Sequence, residues 1–245
     1  MKRVNRNYIA ENIEIADLGL YLEEKQALIV ADLHLGYEEM LNKQGVFIPR
    51  INFRDIKKRL RNMLKETKPK SVIINGDLKH EFGEISKQEW REVLEMLDFI
   101  EKYAKEIVLI KGNHDTILGP LAKRKGLEIL DELYITEYNA LILHGHKLSR
   151  SKEFKKAKTL IIAHEHAAVG LREGQRVELY KCFLKGKYGR KKLIVMPSMN
   201  AVAIGSDVLR EKLLSPFLQQ DLSGFECWLV EDKVYYFGKL KELYS

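Results

Sequence analysis

Five short apolar runs in this chain each lead into a polar motif built from histidine, aspartate or asparagine. The runs are ALIVA, SVIIN, IVLIK, ALIL and TLIIA. The motifs that follow them are Asp32-Leu-His34, Gly76-Asp77, Gly112-Asn113-His114-Asp115, His144-Gly-His146 and His164-Glu-His166. Short apolar runs rich in β-branched residues read as buried strands. Open α/β sheets bind ligands outside the carboxyl ends of their strands. Polar groups scattered from residue 32 to residue 166 are therefore expected to converge on one edge of a sheet.

The intervening segments fit that plan. Residues 18–31 read as a hairpin. Asn52 to Thr67 places Phe53, Ile56, Leu60, Met63 and Leu64 at helical spacing, with Asn52 as the expected N-cap and Lys68-Pro69 as the stop. Ser86 to Lys105 reads as a second amphipathic helix opened by a Ser86/Glu89 capping box. Alternating strands and helices predict parallel strands joined by crossover helices in the first half. The second half is richer in strands (LYITEY, VELYKCFL, KLIVMP, FECWLV, KVYYFG), and Glu231-Asp-Lys233 reads as the last hairpin turn. With no internal repeat and no flexible linker, one domain over residues 1–245 is expected.

Composition excludes several classes. The chain is 45% hydrophobic and 31% charged, and no apolar run approaches the ~20 residues that a spanning helix needs. Met1-Lys-Arg-Val is not followed by a signal-peptide core, so a cytoplasmic location without membrane attachment is expected. Cys182 and Cys227 form no disulfide framework and no thiolate metal motif, and read as buried free thiols. Any metal must then be held by imidazole and oxygen. The net charge of +7, with basic runs at Lys57–Arg61, Lys123–Lys125, Lys152–Lys158 and Lys185–Lys192, suits a polyanionic partner. It equally suits a solvated Lys/Glu-rich surface.

Asp32 and His34 lie two residues apart and can face the same way. A carboxylate with an imidazole suits a divalent transition metal better than magnesium. Asp77 has two carboxylate oxygens and is the natural bridge between two ions. Asn113 adds a neutral oxygen, while His144, His164 and His166 complete two nitrogen-rich shells. Singly, each fragment has a plainer reading as a turn or a hydrogen-bonded loop histidine; the combined order is much more specific.

That order resembles the calcineurin-like metallophosphoesterase superfamily, whose pattern is Asp-x-His, Gly-Asp, Gly-Asn-His-(Asp/Glu), His and Gly-His-x-His. The one departure is Ala163 in place of the last motif's glycine, which removes no ligand. The resemblance implies an α/β fold, an αββα sandwich of two mixed sheets flanked by helices, with the site at strand carboxyl ends. It implies one ion on Asp32, His34, Asp77 and His166 and another on Asp77, Asn113, His144 and His164. Manganese is the expected metal, with iron, zinc or nickel as alternatives. GDLKHEFG and MPSMN resemble the archaeal and bacterial branch associated with DNA helicases and ligases, which implies a helicase or ligase as partner.

Two ions clamping a phosphate lower the pKa of a bridging water and yield hydroxide for in-line attack. His114 is the expected catalytic group for the leaving oxygen. His80 resembles the residue that positions this histidine in double-strand-break-repair nucleases, and is expected to hydrogen-bond His114. Asp115 is expected to cap the turn or helix that follows it, with support of the metal ligands from behind as the alternative. Ser198 and Asn200 either border the crevice or form a plain turn, and His146 has no assigned role. Phe154, Tyr180 and Tyr188 stand beside lysines as stacking candidates, with packing the plainer reading. The resulting expectation is a manganese-dependent nuclease acting on single-stranded DNA. Alternatives are hydrolysis of a small phosphoester, such as a cyclic nucleotide, and a non-catalytic scaffold.

Overall fold

The computed structural model describes residues 7–49, 51–81, 86–115, 118–174 and 176–243. Residues 82 and 83 of the GDLKHEFG string lie outside the described residues. The first sheet is seven-stranded, in the order β1 (Tyr8–Ala10), β2 (Ile13–Ala16), β3 (Gly19–Leu22), β4 (Ala27–Val30), β5 (Ser71–Asn75), β6 (Glu106–Ile110) and β7 (Ile129–Leu130). β1 to β4 form an antiparallel meander, whereas β4 to β7 run parallel. The parallel strands are linked by α1 (Tyr37–Lys43) and α2 (Asn52–Thr67), then α3 (Lys87–Ile100), then α4 (Gly119–Lys125). This is the crossover arrangement that alternation in the sequence predicts.

The second sheet contains β8 (Glu132–Ile135), β9 (Ala140–Leu143), β10 (Thr159–Ile162), β11 (Ala167–Glu173), β12 (Arg176–Tyr188), β13 (Lys191–Val195), β14 (Ser206–Asp207), β15 (Glu226–Val230) and β16 (Val234–Lys239). β9, β10 and β13 are parallel neighbours, and the long β12 pairs antiparallel with β11, β13 and β15. Both sheets are thus mixed.

Side-chain alternation explains how the second sheet serves two cores. Ile142 and Ile161 face inward, in one apolar cluster with Ile29 and Ile73 of the first sheet and with Leu60 and Leu97 of the helices. Leu141, Leu160 and Ile162 face outward, against Phe217, Leu218 and Leu222. That outer face is covered by the five-residue α5 (Lys152–Lys156) and by the irregular segment 208–225. The fourth layer of the sandwich is therefore lightly helical.

The helix starts show which expectations met competition. Ser86 makes its capping box: its hydroxyl accepts from Glu89 N at 3.0 Å, and Glu89 Oε2 accepts from Ser86 N at 3.2 Å. Asn52, expected as an N-cap, is instead the first helical residue, after Ile51. Its side chain is used across the fold, donating to the His34 carbonyl at 3.4 Å and accepting from Ala201 N at 2.7 Å. A fully buried amide joining two segments outweighs a local cap worth about 1 kcal/mol. Asn52→Ala is expected to destabilise the protein by about 1–3 kcal/mol, because it strands the buried His34 carbonyl and frees the Ala201 amide. Urea unfolding of the variant beside wild type measures this.

Candidate metal centre

The strand exits are laced together by main-chain hydrogen bonds. Beyond β4 and β5, Asp32 N donates to Gly76 O at 3.1 Å, His34 N to Asp77 O at 2.9 Å and Leu35 N to Leu78 O at 3.0 Å. The loop after β13 joins the same seam, with Met199 N donating to Ala31 O and Asn200 N to Asp32 O. In the second sheet Ala163 N donates to His144 O. The pairing that builds the sheets thus continues into the loops and fixes where their side chains start.

Five of the candidate ligands occupy the left-handed region: Asp32 (φ 53°), His34 (47°), Asp77 (47°), His164 (70°) and His166 (52°). Non-glycine residues avoid this region, and they persist there when the surroundings over-determine the backbone. Ten such residues occur among those described, so half of them lie on this one edge. The glycines of the motifs have a steric cause. A β-carbon at Gly76 would overlap the His144 ring, and one at Gly112 would overlap the Asp77 carboxylate.

Three donor groups result: Asp32/His34/His166 and Asp77/His144/His164, with His34/His80/His114 beside them. Asp77 Oδ2 lies between the first two, 3.7 Å from His34 Nε2 and 3.5 Å from His144 Nε2. These distances are too long for hydrogen bonds, yet several atoms point at one another. His34 Nε2 and His166 Nε2 face each other at 3.0 Å. Asn113 Oδ1 is buried without a hydrogen-bond partner. An orphaned amide oxygen among converging imidazole and carboxylate atoms is a donor set for divalent transition-metal ions. A cavity of about 360 Å³ opens over it, bordered by Tyr37, His80, His114 and Leu214 among others.

Electrostatics agrees with this fit. Burial raises the Asp32 carboxyl, with His166 and the His164 amide opposing; burial and then the neighbouring Asp32 raise Asp77. Burial lowers His144 and His164 to about 3 and His166 to about 4. Neutral imidazoles are the ligand form, and a cation supplies the countercharge that the buried carboxylates lack.

The remaining histidines take places the sequence did not settle. His144 presents Nε2 to Asp32 Oδ1 at 2.8 Å, and its Nδ1 lies 3.1 Å from His146 Nδ1. His34 repeats the arrangement: its Nδ1 lies 3.1 Å from His80 Nδ1. When Nε2 of either ring faces a cation, the ring proton sits on Nδ1, and the second histidine accepts it. His80 does meet His114, but through its main chain. His114 Nδ1 donates to the His80 carbonyl, and the two rings stack with centroids 5.1 Å apart. His114 N also donates to Asp77 Oδ1 at 2.9 Å.

Asp115 reaches backward, and the residues directly after it, 116 and 117, lie outside the described residues. Its carboxylate accepts from Gly112 N at 2.9 Å and Leu78 N at 3.1 Å, tying two ligand loops together. Ser198 and Asn200 belong to the same frame: Ser198 Oγ donates to the Asp32 carbonyl, and Lys181 Nζ donates to the carbonyls of Ser198 and Asn200. Burial pushes Lys181 down to about 7, Arg59 adds to this and Asp32 opposes it. Sequence reasoning missed Lys181, although a lysine in step with the inward-facing Phe183 of β12 was a readable signal.

The family model for calcineurin-like phosphoesterases matches residues 26–213. No curated protein matches the sequence. Among solved structures, the chain is similar to the nuclease MPE of Pseudomonas putida, with a TM-score of 0.65 and 19% identity over 92% of this chain and 94% of that one. It also matches the phosphoesterase Yfce of E. coli (TM-score 0.37, 12% identity, 82% and 86% covered) and an Entamoeba histolytica Vps29 variant (TM-score 0.37, 15% identity, 89% and 94% covered).

Two outcomes are expected. His80→Ala and His146→Ala should each weaken metal affinity about 10–100-fold while leaving the fold intact; calorimetric titration with manganese reads this. Metal-free protein should lose stability as pH falls below about 6.5, down to about 3–4. The folded-state histidine pKa values are depressed, so the unfolded chain takes up protons that the folded one refuses. Thermal unfolding in EDTA across that window tests the sign.

Proposed function

The chain belongs to the calcineurin-like phosphoesterase family, and on that footing we propose that it is a manganese-dependent nuclease acting on single-stranded DNA. The observation that carries the reading is the convergence of Asp32/His34/His166 and Asp77/His144/His164 beneath one open cavity, with His114 on its wall. The metal-dependent phosphoesterase class follows from the family. Asp32, His34, Asp77 and His166 would hold one divalent ion and Asp77, Asn113, His144 and His164 the other. Such ions supply Lewis-acid charge to the phosphate and an activated water at neutral pH.

The chain's own groups do the rest. Asp77 is held by the His114 amide so that one carboxylate oxygen remains turned toward both histidine groups. His114 gives Nδ1–H to the His80 carbonyl and borders the cavity, with Nε2 3.9 Å from Asp77 Oδ2. From there it delivers a proton to the departing oxygen or a hydrogen bond to the phosphate. The His80 carbonyl stabilises the protonated ring and fixes its direction. His80 thus positions His114 by its main chain and His34 by its ring.

A polynucleotide is favoured by the net charge of +7 and by the openness of a cavity bordered by exposed residues such as Leu214. The likeness to a nuclease structure agrees with this substrate. Manganese suits the mixture of imidazole, carboxylate and amide donors. A manganese-supplemented assay should compare single-stranded and duplex DNA, RNA, cyclic nucleotides and simple phosphoesters. His114→Ala is expected to lower kcat by about 10²–10⁴-fold with its metal content retained. Hydrolysis of small esters alone, with no cleavage of any nucleic acid, would replace the nuclease reading with a small-molecule phosphoesterase.

A further inference from the structure

The loop that follows β9 borders a second cavity. It measures about 380 Å³ and is lined by His144, His146, Lys147, Ser149, Arg150 and others. Its wall is shared with the metal centre, because His144 turns Nε2 toward Asp32 and Nδ1 toward His146. The His146 and His164 ring centroids are 6.0 Å apart, and His164 lines the first cavity. The two spaces thus meet at neighbouring histidine rings, His164 on one side and His146 on the other.

The donors facing this second space suit an anion. His146 lines this space, and with Nδ1 turned to His144 Nδ1 at 3.1 Å it keeps Nε2 for other partners. Ser149 and Ser151 lie on the same wall but hold the loop itself, Ser149 Oγ donating to Ser151 Oγ at 3.1 Å and Ser151 Oγ accepting from Phe154 N. Arg150 is exposed and makes no ion pair among the described residues. Lys147 is held only by a solvent-exposed contact of 3.7 Å to Asp131, the kind of pair that contributes little and exchanges readily. Lys111 adds positive charge near His146. Asp131 and Glu132, also on the wall, oppose them.

We propose that this cavity is a phosphate subsite, in which Arg150, Lys147 and His146 hold the phosphate next to the scissile one in a single polynucleotide strand. The proposal rests on the nuclease reading and extends it to how a polymer is told from a small ester. Recognition here is electrostatic rather than by base stacking. Of the aromatics beside lysines, Phe154 and Tyr188 pack against Phe217, with ring centroids 6.2 and 4.9 Å away. The Tyr180 hydroxyl donates to Glu178.

The test pairs binding with catalysis. Anisotropy of a labelled single-stranded oligonucleotide in EDTA, across a salt series, gives the slope of log K against log salt. Removing one phosphate contact lowers a single-strand slope by about 0.7. Arg150→Gln is expected to show that decrease and about tenfold weaker binding, and Lys147→Gln a smaller change in the same direction. In manganese, the ratio of kcat/KM for the oligonucleotide to that for bis(p-nitrophenyl) phosphate should fall about tenfold, through KM rather than kcat. Wild-type slope and affinity in Arg150→Gln would overturn the subsite and leave the nuclease reading standing. An equal loss on both substrates would also overturn it, since Arg150 would then act through the metal centre. A wild-type protein that neither binds nor cleaves the oligonucleotide removes both readings together.

Discussion

Asp32 and Asp77 sit at the ends of adjacent parallel strands, fully buried and close enough that Asp32 adds to the burial that raises the proton affinity of Asp77. Burying two carboxylates side by side is unfavourable unless something compensates their charge. Much of the surrounding structure reads as compensation. The amides of His164 and His114 point at the two carboxylates, and Lys181 lies behind Asp32. The imidazoles around them stay neutral through burial. What is left over is a deficit of positive charge in a space walled by nitrogen and oxygen donors, which suits divalent metal ions.

Precision at this site comes from the main chain before it comes from side chains. The hydrogen-bond seam continues past the strand ends, through the β4 and β5 exits and into the loop after β13. Five candidate ligands are held in left-handed conformations that cost of order 1–3 kcal/mol each. Such strain persists only where neighbours leave no alternative. Asn52, Asp115 and Ser198 do this by joining loops from different strands, and each joins two ligand-bearing or ligand-backing segments.

The two histidine pairs, His34 with His80 and His144 with His146, form a second tier of the same design. In each pair one ring faces the carboxylates and the other stands behind it at 3.1 Å. The sequence resemblance puts His144 in the ligand set, but it gives no sign that His146 stands behind that ring. The sequence places His80 close to Asp77, yet the ring's partner proved to be His34, which lies on another strand exit. For the same reason Asn52 was legible as a helix cap but not as a bridge to Ala201. Local pattern identifies what a residue can do nearby; a distant partner with a better-buried hydrogen bond then takes it over. The capping box at Ser86 held because both of its partners are local, and Glu89 still had an oxygen available for His80 N and Glu81 N.

The sequence by itself determined the strands, the crossover helices and the identity of the polar residues at each strand exit. Period and composition are properties of short segments, and apolar runs of four or five residues admit few folds once each ends in a turn. The tertiary structure alone decided which nitrogen of each histidine faces inward, that His80 meets His114 through its carbonyl and His34 through its ring, and that a second cavity borders the metal centre at His144. Those outcomes depend on the register between β4 and β5 and on the stacking of one sheet on the other. Contacts of that kind are set by burial across the whole chain, and no short stretch of sequence encodes them.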